Sequence, residues 1–358
     1  MSERITGPSF FIGRGGDGAD GLISFGSGQP DLAPPDGVFE AMWNFRGFKY
    51  GLVQGDELLH DALAQDYPHA DAEQFVISNG ASEAIDLVLR ALYEPGAQVA
   101  LQRPYYYSYP HNVTLAGIEL AYYDLVDGKI DLDEFEHAVH TCRAVVINSP
   151  SNPTSTVQEV DTLKNIEEIC DRRGIWVISY EVYKDLIYVR ENYLIQGTRV
   201  VTINSFSKTF AMCGYRVGYL WARDRDLVSR IVDMKSRTAM NTSSVGQAMA
   251  LAGLGVRAAH IVATVPVWKE RRDLIYAGMQ KLGLEVWKPE GAFYILPKIK
   301  DPTRAMHDLY HHYKLIAYDG TWFGAPDRLR FSFALDAAKI EEGLKRLGKF
   351  LANEYCSY

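Results

Sequence analysis

Cysteine is scarce in this chain, with four in 358 residues: Cys142, Cys170, Cys213 and Cys356. They lie far apart and form no CxxC pair, so neither a structural zinc site nor a disulfide framework is expected, and a reducing cytoplasm is the expected setting. No apolar run approaches the roughly 20 residues that a membrane helix needs. The first residues, MSERITGPSFFIGRGGDGADG, lack the continuous apolar core of a secretion signal. An excess of base is missing too. Lys and Arg number 37 against 45 Asp and Glu, and the net charge of -8 gives no electrostatic reason to expect nucleic acid or an anionic membrane as partner. There is no internal repeat and no low-complexity tract.

What is present is an ordinary globular composition, 47% hydrophobic and 23% charged, in a chain long enough for a large domain and a smaller one. From about 74 to 221, short apolar runs (QFVIS, AQVALQ, IELAYYDL, RAVVIN, IWVIS, RVVTIN) alternate with helix-like stretches such as SEAIDLVLRALY and LKNIEEICDRRG. That alternation predicts an α/β fold, with a mostly parallel sheet flanked by helices. Beyond about 224, helices are predicted at 224–236, 243–254, 257–282 and 337–353, with short strands near 292–296 and 328–333. The expected organisation is a large domain at 45–235 and a smaller α+β domain made of 1–44 and 236–358.

In open α/β sheets ligands bind at the carboxyl ends of the strands, and four unusual clusters fall there. NGAS, residues 79–82, leaves Gly80, Ala81 and Ser82 at a helix N-terminus, which suits a phosphate or simply starts a helix. SPSNPTS, 149–155, holds Asn152 beside a proline, as an aimed amide or as a stiff turn. YEVY, 180–183, ends a third strand. SFSK, 205–208, ends a fourth and places Lys208 with no charged residue within seven positions on either side. A lysine in such surroundings is costly unless a charge or a covalent bond stabilises it.

Together these segments resemble the class I and II aminotransferases, the fold-type I enzymes that use pyridoxal 5'-phosphate. The likeness runs from GSGQPDLAPP near residue 30, through SFSKTFAMCGYRVGY, to RLRFSFA near 330. The resemblance implies a fold-type I large domain with a seven-stranded type of sheet. It implies that Lys208 forms the Schiff base and moves the proton. Arg216 and Ser205, with Gly80, Ala81 and Ser82, would hold the phosphate, and Tyr106 would stack on the ring. Asn152 and Tyr183 would bind the phenolic oxygen. Arg330 would grip the substrate α-carboxylate, with Asn152 and the Gly28 backbone N–H beside it. Tyr50 would reach the phosphate of a neighbouring subunit, which implies a homodimer with shared active sites. The expected partners are an amino acid and a 2-oxo acid, and no metal is expected.

One position departs from the pattern. Where the family carries an aspartate facing the ring nitrogen, this chain has Tyr180. Glu181 is adjacent, but neighbouring strand residues point to opposite faces. A phenol with an ordinary pKa of about 10 brings no negative charge at neutral pH, so the ring would be a weaker electron sink. The expected activity is amino-group transfer from an amino acid, aromatic or neutral, to a 2-oxo acid. Competing readings are a lyase, cyclase or decarboxylase on the same cofactor, and an impaired or silent binder. Tyr105, Tyr106, Tyr107 and the SFF at 9–11 are candidates for an aromatic mouth or for core. His307 and His311 share a helix face without a third metal ligand. GRGGDG at 13–18 imitates a phosphate loop without a strand before it. VYKDLIYVRENY reads as an irregular stretch near a dimer interface, with little chemistry of its own.

Overall fold

Eight strands form the main sheet, in the order Phe75–Ser78, Gly218–Ala222, Val200–Ser205, Trp176–Tyr180, Ala144–Ile147, Gln98–Arg103, Glu119–Val126 and Lys129–Ile130. The computed structural model describes residues 7–11, 21–189 and 192–355; GRGGDG and Cys356 lie outside them. The five strands from Val200–Ser205 to Glu119–Val126 run parallel. Gly218–Ala222 runs against both its neighbours. The seven-stranded expectation becomes eight through the two-residue edge strand Lys129–Ile130, paired antiparallel with Glu119–Val126.

The apolar runs become strands because both faces of this sheet are covered. Every residue of Ala144–Ile147, Trp176–Tyr180 and Val200–Ser205 is buried. On one face Ile85 and Val88 of helix Ala81–Ala91 join a core with Val99, Ile178 and Val201. On the other, Phe135 of helix Leu132–Val139 and Ile166 of helix Val160–Arg173 pack with Val145 and Val177. Each such side chain contributes roughly 1.5–3 kcal/mol when removed from water. Helix Val160–Arg173 stops at Gly174, whose φ of 70° is the left-handed conformation of a helix C-cap.

The remaining strands are short. Tyr294–Ile295, Leu329–Ser332 and Tyr318–Asp319 form an antiparallel sheet, and Ile23–Ser24 pairs in parallel with Leu315–Ile316. Helices Arg225–Thr238, Ser244–Gly255, Arg257–Lys281 and Ala337–Tyr355 lie close to their predicted positions. The segment after Ile23–Ser24 is stitched down by backbone bonds from Phe25 N to Ile316 O (2.8 Å) and from Ser332 N to Phe25 O (2.6 Å). That stitching carries Gly26 and Gly28 to the carboxyl ends of the main strands. Among the described residues no single helix is long and apolar enough to cross a membrane.

Candidate active site

A cavity of about 280 Å³ opens where the strand ends meet the segment 26–29, and its lining includes Ala81, Ser82, Tyr106, Asn152, Tyr180 and Tyr183. Ser205, Lys208, Arg216, Gly28 and Arg330 line it too, whereas Gly80 and Tyr50 of the expected set do not. Its cations are Lys208, Arg216 and Arg330, and no carboxylate is among its lining residues.

One end is built for an anion. Gly80 precedes helix Ala81–Ala91 with φ 79°, and no side chain caps the helix. The helix N-terminus therefore points its dipole and free N–H groups outward. Arg216 takes a left-handed conformation (φ 56°, ψ 52°) and anchors its Nη1 on Cys213 O (2.9 Å) and its Nη2 on Asn79 O (3.3 Å). A Cβ at Gly80 would sit 2.5 Å from Arg216 Nη2, and one at Gly218 would sit 2.7 Å from Ala81 N. Both glycines are required for the close approach. Ser205 accepts a bond from Ser207 N (3.3 Å) through its Oγ, which holds the turn leading to Lys208. This donor set fits a phosphate group.

Lys208 is half-buried and donates from Nζ to Gly28 O at 2.6 Å. Asn152 is held by its backbone N–H donating to Asn148 Oδ1 (2.9 Å), while Asn148 Nδ2 donates to Tyr180 O (2.9 Å). Tyr183 and Tyr294 share a hydroxyl–hydroxyl bond of 2.7 Å. Burial, with Tyr294 alongside, holds the Tyr183 phenol well above its usual range.

At the far end Arg330, 2% exposed, sits between the rings of Tyr294, Tyr318 and Phe323 at 4.6–4.7 Å. Nη1 donates to Asn152 Oδ1 (3.1 Å) and Nη2 to Gly26 O. Nε is buried without a partner, and among the described residues no carboxylate pairs with this guanidinium. A buried arginine in that state suits an incoming carboxylate.

Tyr180 lines the cavity and packs edge-on against Tyr109 at 5.2 Å. Its phenol is raised above its ordinary pKa, chiefly by burial. Tyr106 lies edge-on to Tyr107 (4.7 Å) and Tyr109 (5.4 Å). Glu181 turns to the opposite side, where it accepts from Ser179 Oγ at 2.8 Å and lies 3.5 Å from the Tyr67 hydroxyl. Burial pushes it up to about 7, and it takes no part in the cavity.

The structure decides some open readings and corrects one. Tyr105 stacks on Tyr122 at 5.8 Å and Phe10 packs edge-on to Tyr310 at 6.0 Å, so these two belong to packing, while Tyr106 and Tyr107 line the cavity. The stretch after Tyr183 is not chemically bland: Asp185 binds Arg257 at 2.6 Å and accepts from Thr209 Oγ1 at 3.0 Å, bracing the residue next to Lys208. His307 and His311 stack at 6.1 Å, and among the described residues no three acidic, histidine or cysteine groups converge on a metal. Tyr50 lies outside the cavity, 81% exposed. Tyr294, Tyr318 and Asn148 went unmarked in the sequence; the tyrosine after Phe293 in EGAFYILP was the available signal.

Comparisons with known proteins bear on the family and the fold. Residues 20–347 match the family model "Aminotransferase class I and II". A probable aspartate/prephenate aminotransferase of Aquifex aeolicus is 30% identical, the alignment covering 92% of this chain and 91% of the relative. The Thermus thermophilus aspartate aminotransferase solved with maleate superposes with TM-score 0.89 at 26% identity, over 92% of this chain and 91% of that one. The aromatic aminotransferase of Pyrococcus horikoshii gives TM-score 0.88 at 27% identity, over 97% and 99%.

Proposed function

Because the chain belongs to the class I and II aminotransferases, we propose that its cavity binds pyridoxal 5'-phosphate and moves an amino group from a neutral or aromatic amino acid to a 2-oxo acid. The observation that carries this is the convergence of Lys208, Arg216 and Arg330 on one cavity with no lining carboxylate. When bound, the cofactor supplies an aldehyde for an amine and a conjugated ring that accepts electron density. Arg216, Ser205, Ser82 and the helix N-terminus at Gly80 and Ala81 hold its phosphate. Lys208 supplies the amine and carries the proton at the substrate α-carbon. Tyr183 and Asn152 hold the phenolic oxygen, and Tyr106 covers the ring. Arg330, with Asn152 and Gly28, orients the substrate carboxylate. Tyr107 and Tyr318 offer the side chain aromatic walls, and no second cation in this lining answers a side-chain carboxylate.

The test is a panel of amino acids added to the purified, cofactor-loaded protein without an acceptor. The expected result is one equivalent of 2-oxo acid with aromatic or neutral donors. Sustained release of ammonia or CO₂ would favour the lyase or decarboxylase, readings the family membership does not favour. A faster reaction with aspartate than with any aromatic donor would overturn the donor class.

Tyr180 occupies the strand end where the resemblance puts a carboxylate against the ring nitrogen, and we propose that it slows transfer. A charged hydrogen bond is worth about 1.5–3 kcal/mol, so Tyr180→Asp is expected to speed the half-reaction roughly 10–100-fold. Stopped-flow absorbance with a good donor reads this. An unchanged rate, or loss of cofactor binding, defeats the proposal.

We also propose a homodimer in which Tyr50 reaches the partner's phosphate site. The support is a run of exposed apolar residues, Trp43 (70%), Phe48 (90%), Tyr50 and Leu52 (58%), of the kind that marks an interface. Phe48→Asp is expected to shift sedimentation from dimer to monomer and weaken cofactor retention at least about tenfold. A wild-type protein that sediments as a monomer defeats this. We propose the domain division 45–235 against 1–44 with 236–358, since the main sheet falls in the first and the short sheets in the second. A cytoplasmic setting is proposed from the unpaired thiols of Cys142, Cys170 and Cys213.

A further inference from the structure

The hydroxyls of Tyr183 and Tyr294 lie 2.7 Å apart, and both residues are buried at the cavity wall. Each phenol has one proton, so only one donates across that bond, and the other's proton points elsewhere. The two residues come from different parts of the fold. Tyr183 follows the main-sheet strand Trp176–Tyr180, while Tyr294 begins the short strand Tyr294–Ile295, paired through Ser332 with the strand that carries Arg330. Three contacts fix Tyr294: its N–H donates to Ser155 Oγ (2.9 Å), its ring lies 4.6 Å beneath the Arg330 guanidinium, and its hydroxyl fills the space a side chain at residue 28 would take. A Cβ on Gly28 would be 2.0 Å from that hydroxyl oxygen.

We propose that Tyr294 is a positioning residue that donates to Tyr183 and so directs the Tyr183 proton into the cavity, toward the cofactor's phenolic oxygen. The proposal rests on the cofactor reading above. A hydroxyl that accepts a hydrogen bond becomes a better donor in turn, because bonds in a chain polarise one another. The Arg330 guanidinium, 4.6 Å from the Tyr294 ring centroid, draws on the ring's electron density and so favours Tyr294 as the donor. The other titratable groups around the pair are Tyr180 and Tyr106, which face Tyr183, Tyr109 and Tyr318, which face Tyr294, and Lys208 on the same cavity wall. Among these residues, Tyr294 alone touches both Arg330 and the Tyr183 hydroxyl, so it joins the substrate-carboxylate end of the cavity to the phenolic end.

The test reads the visible absorbance of the cofactor-loaded protein against pH. Hydrogen bonds to the phenolic oxygen stabilise it as an anion and lower the pH at which the linked nitrogen loses its proton. Tyr294→Phe keeps the ring under Arg330 and removes one hydrogen bond. It is expected to raise the spectral midpoint by roughly 0.3–1 unit, less than Tyr183→Phe does. The double variant should shift no further than Tyr183→Phe alone, since Tyr294 acts through Tyr183. Gly28→Ala breaks the same contact from the other side, by crowding the Tyr294 hydroxyl, and should move the midpoint upward too. It serves as the readout if Tyr294→Phe fails to fold. A coloured protein whose midpoint stays put in these variants, or shifts that add in the double variant, overturns the role of Tyr294 alone. A preparation that never takes up colour overturns the cofactor reading and this inference with it.

Discussion

Lys208→Ala is expected to cut amino-group transfer by at least about 10³-fold, the scale of a lost proton carrier combined with a lost covalent link. The loss should be chemical, not structural. Lys208 is half-buried and contributes one hydrogen bond, to Gly28 O, and a distant approach of 5.9 Å to the Phe293 ring. The strand end that carries it is held by other groups: Asn204 Oδ1 accepts from Ser205 N (2.7 Å), and Thr209 Oγ1 donates to Asp185. The variant should therefore fold and keep the anion-binding end built from Arg216, Ser205 and the helix at Ala81. Pyridoxal phosphate should still bind but dissociate on gel filtration, and borohydride should no longer attach it to the protein. A small primary amine in the buffer should recover part of the rate. Transfer within tenfold of the wild type, or borohydride labelling that persists at another lysine, would show that the amine at position 208 is not the one that matters.

Much of this site was legible along the chain because its parts are local. Lys208 stands out through the charges missing around it, and Gly80–Ser82 through a strand that stops where a helix starts. The interior strands are apolar at every position, since both faces of a parallel sheet are covered, and that signal needs no partner to be read. The reversed strand Gly218–Ala222 was not marked as a strand. Its residues follow the lysine segment as an unremarkable apolar run, and only pairing with both Phe75–Ser78 and Val200–Ser205 gives it a place and a direction. Tyr294 escaped for the same kind of reason. Its value comes from a hydroxyl 111 positions away in the chain and an arginine on the adjacent strand, neither of which spacing can reveal. Likewise Asp185 looks like a surface acid in YKDL until Arg257, 72 residues on, arrives beside it. Contacts made across the sheets are set by the fold as a whole, and a single sequence shows them only as residue types without addresses.

Arg330 carries the second large effect. Its guanidinium is almost wholly buried, so removing it takes away the charge and both parallel donors that a carboxylate needs. Truncating one member of a buried, hydrogen-bonded charge pair costs about 2–5 kcal/mol, so Arg330→Ala should lower kcat/KM for amino acids by roughly 10²–10³-fold. Arg330→Lys keeps the charge between Tyr294, Tyr318 and Phe323 but not the planar fork, and should fall between the two. General damage would give the same direction, because the side chain also ties Gly26 O and Asn152 Oδ1 to its strand. A pair of substrates separates the two causes. Tyrosine has the α-carboxylate and tyramine lacks it, while the ring and the amine are shared. If Arg330 acts by gripping the carboxylate, the variants lose rate on tyrosine and leave the slow reaction of tyramine nearly as it was, so the preference between the two collapses. If both substrates decline in proportion, the arginine is holding the wall together and the carboxylate binds elsewhere. The first outcome is favoured because Arg330 lines the cavity, leaves Nε without a partner there, and meets no carboxylate among the described residues.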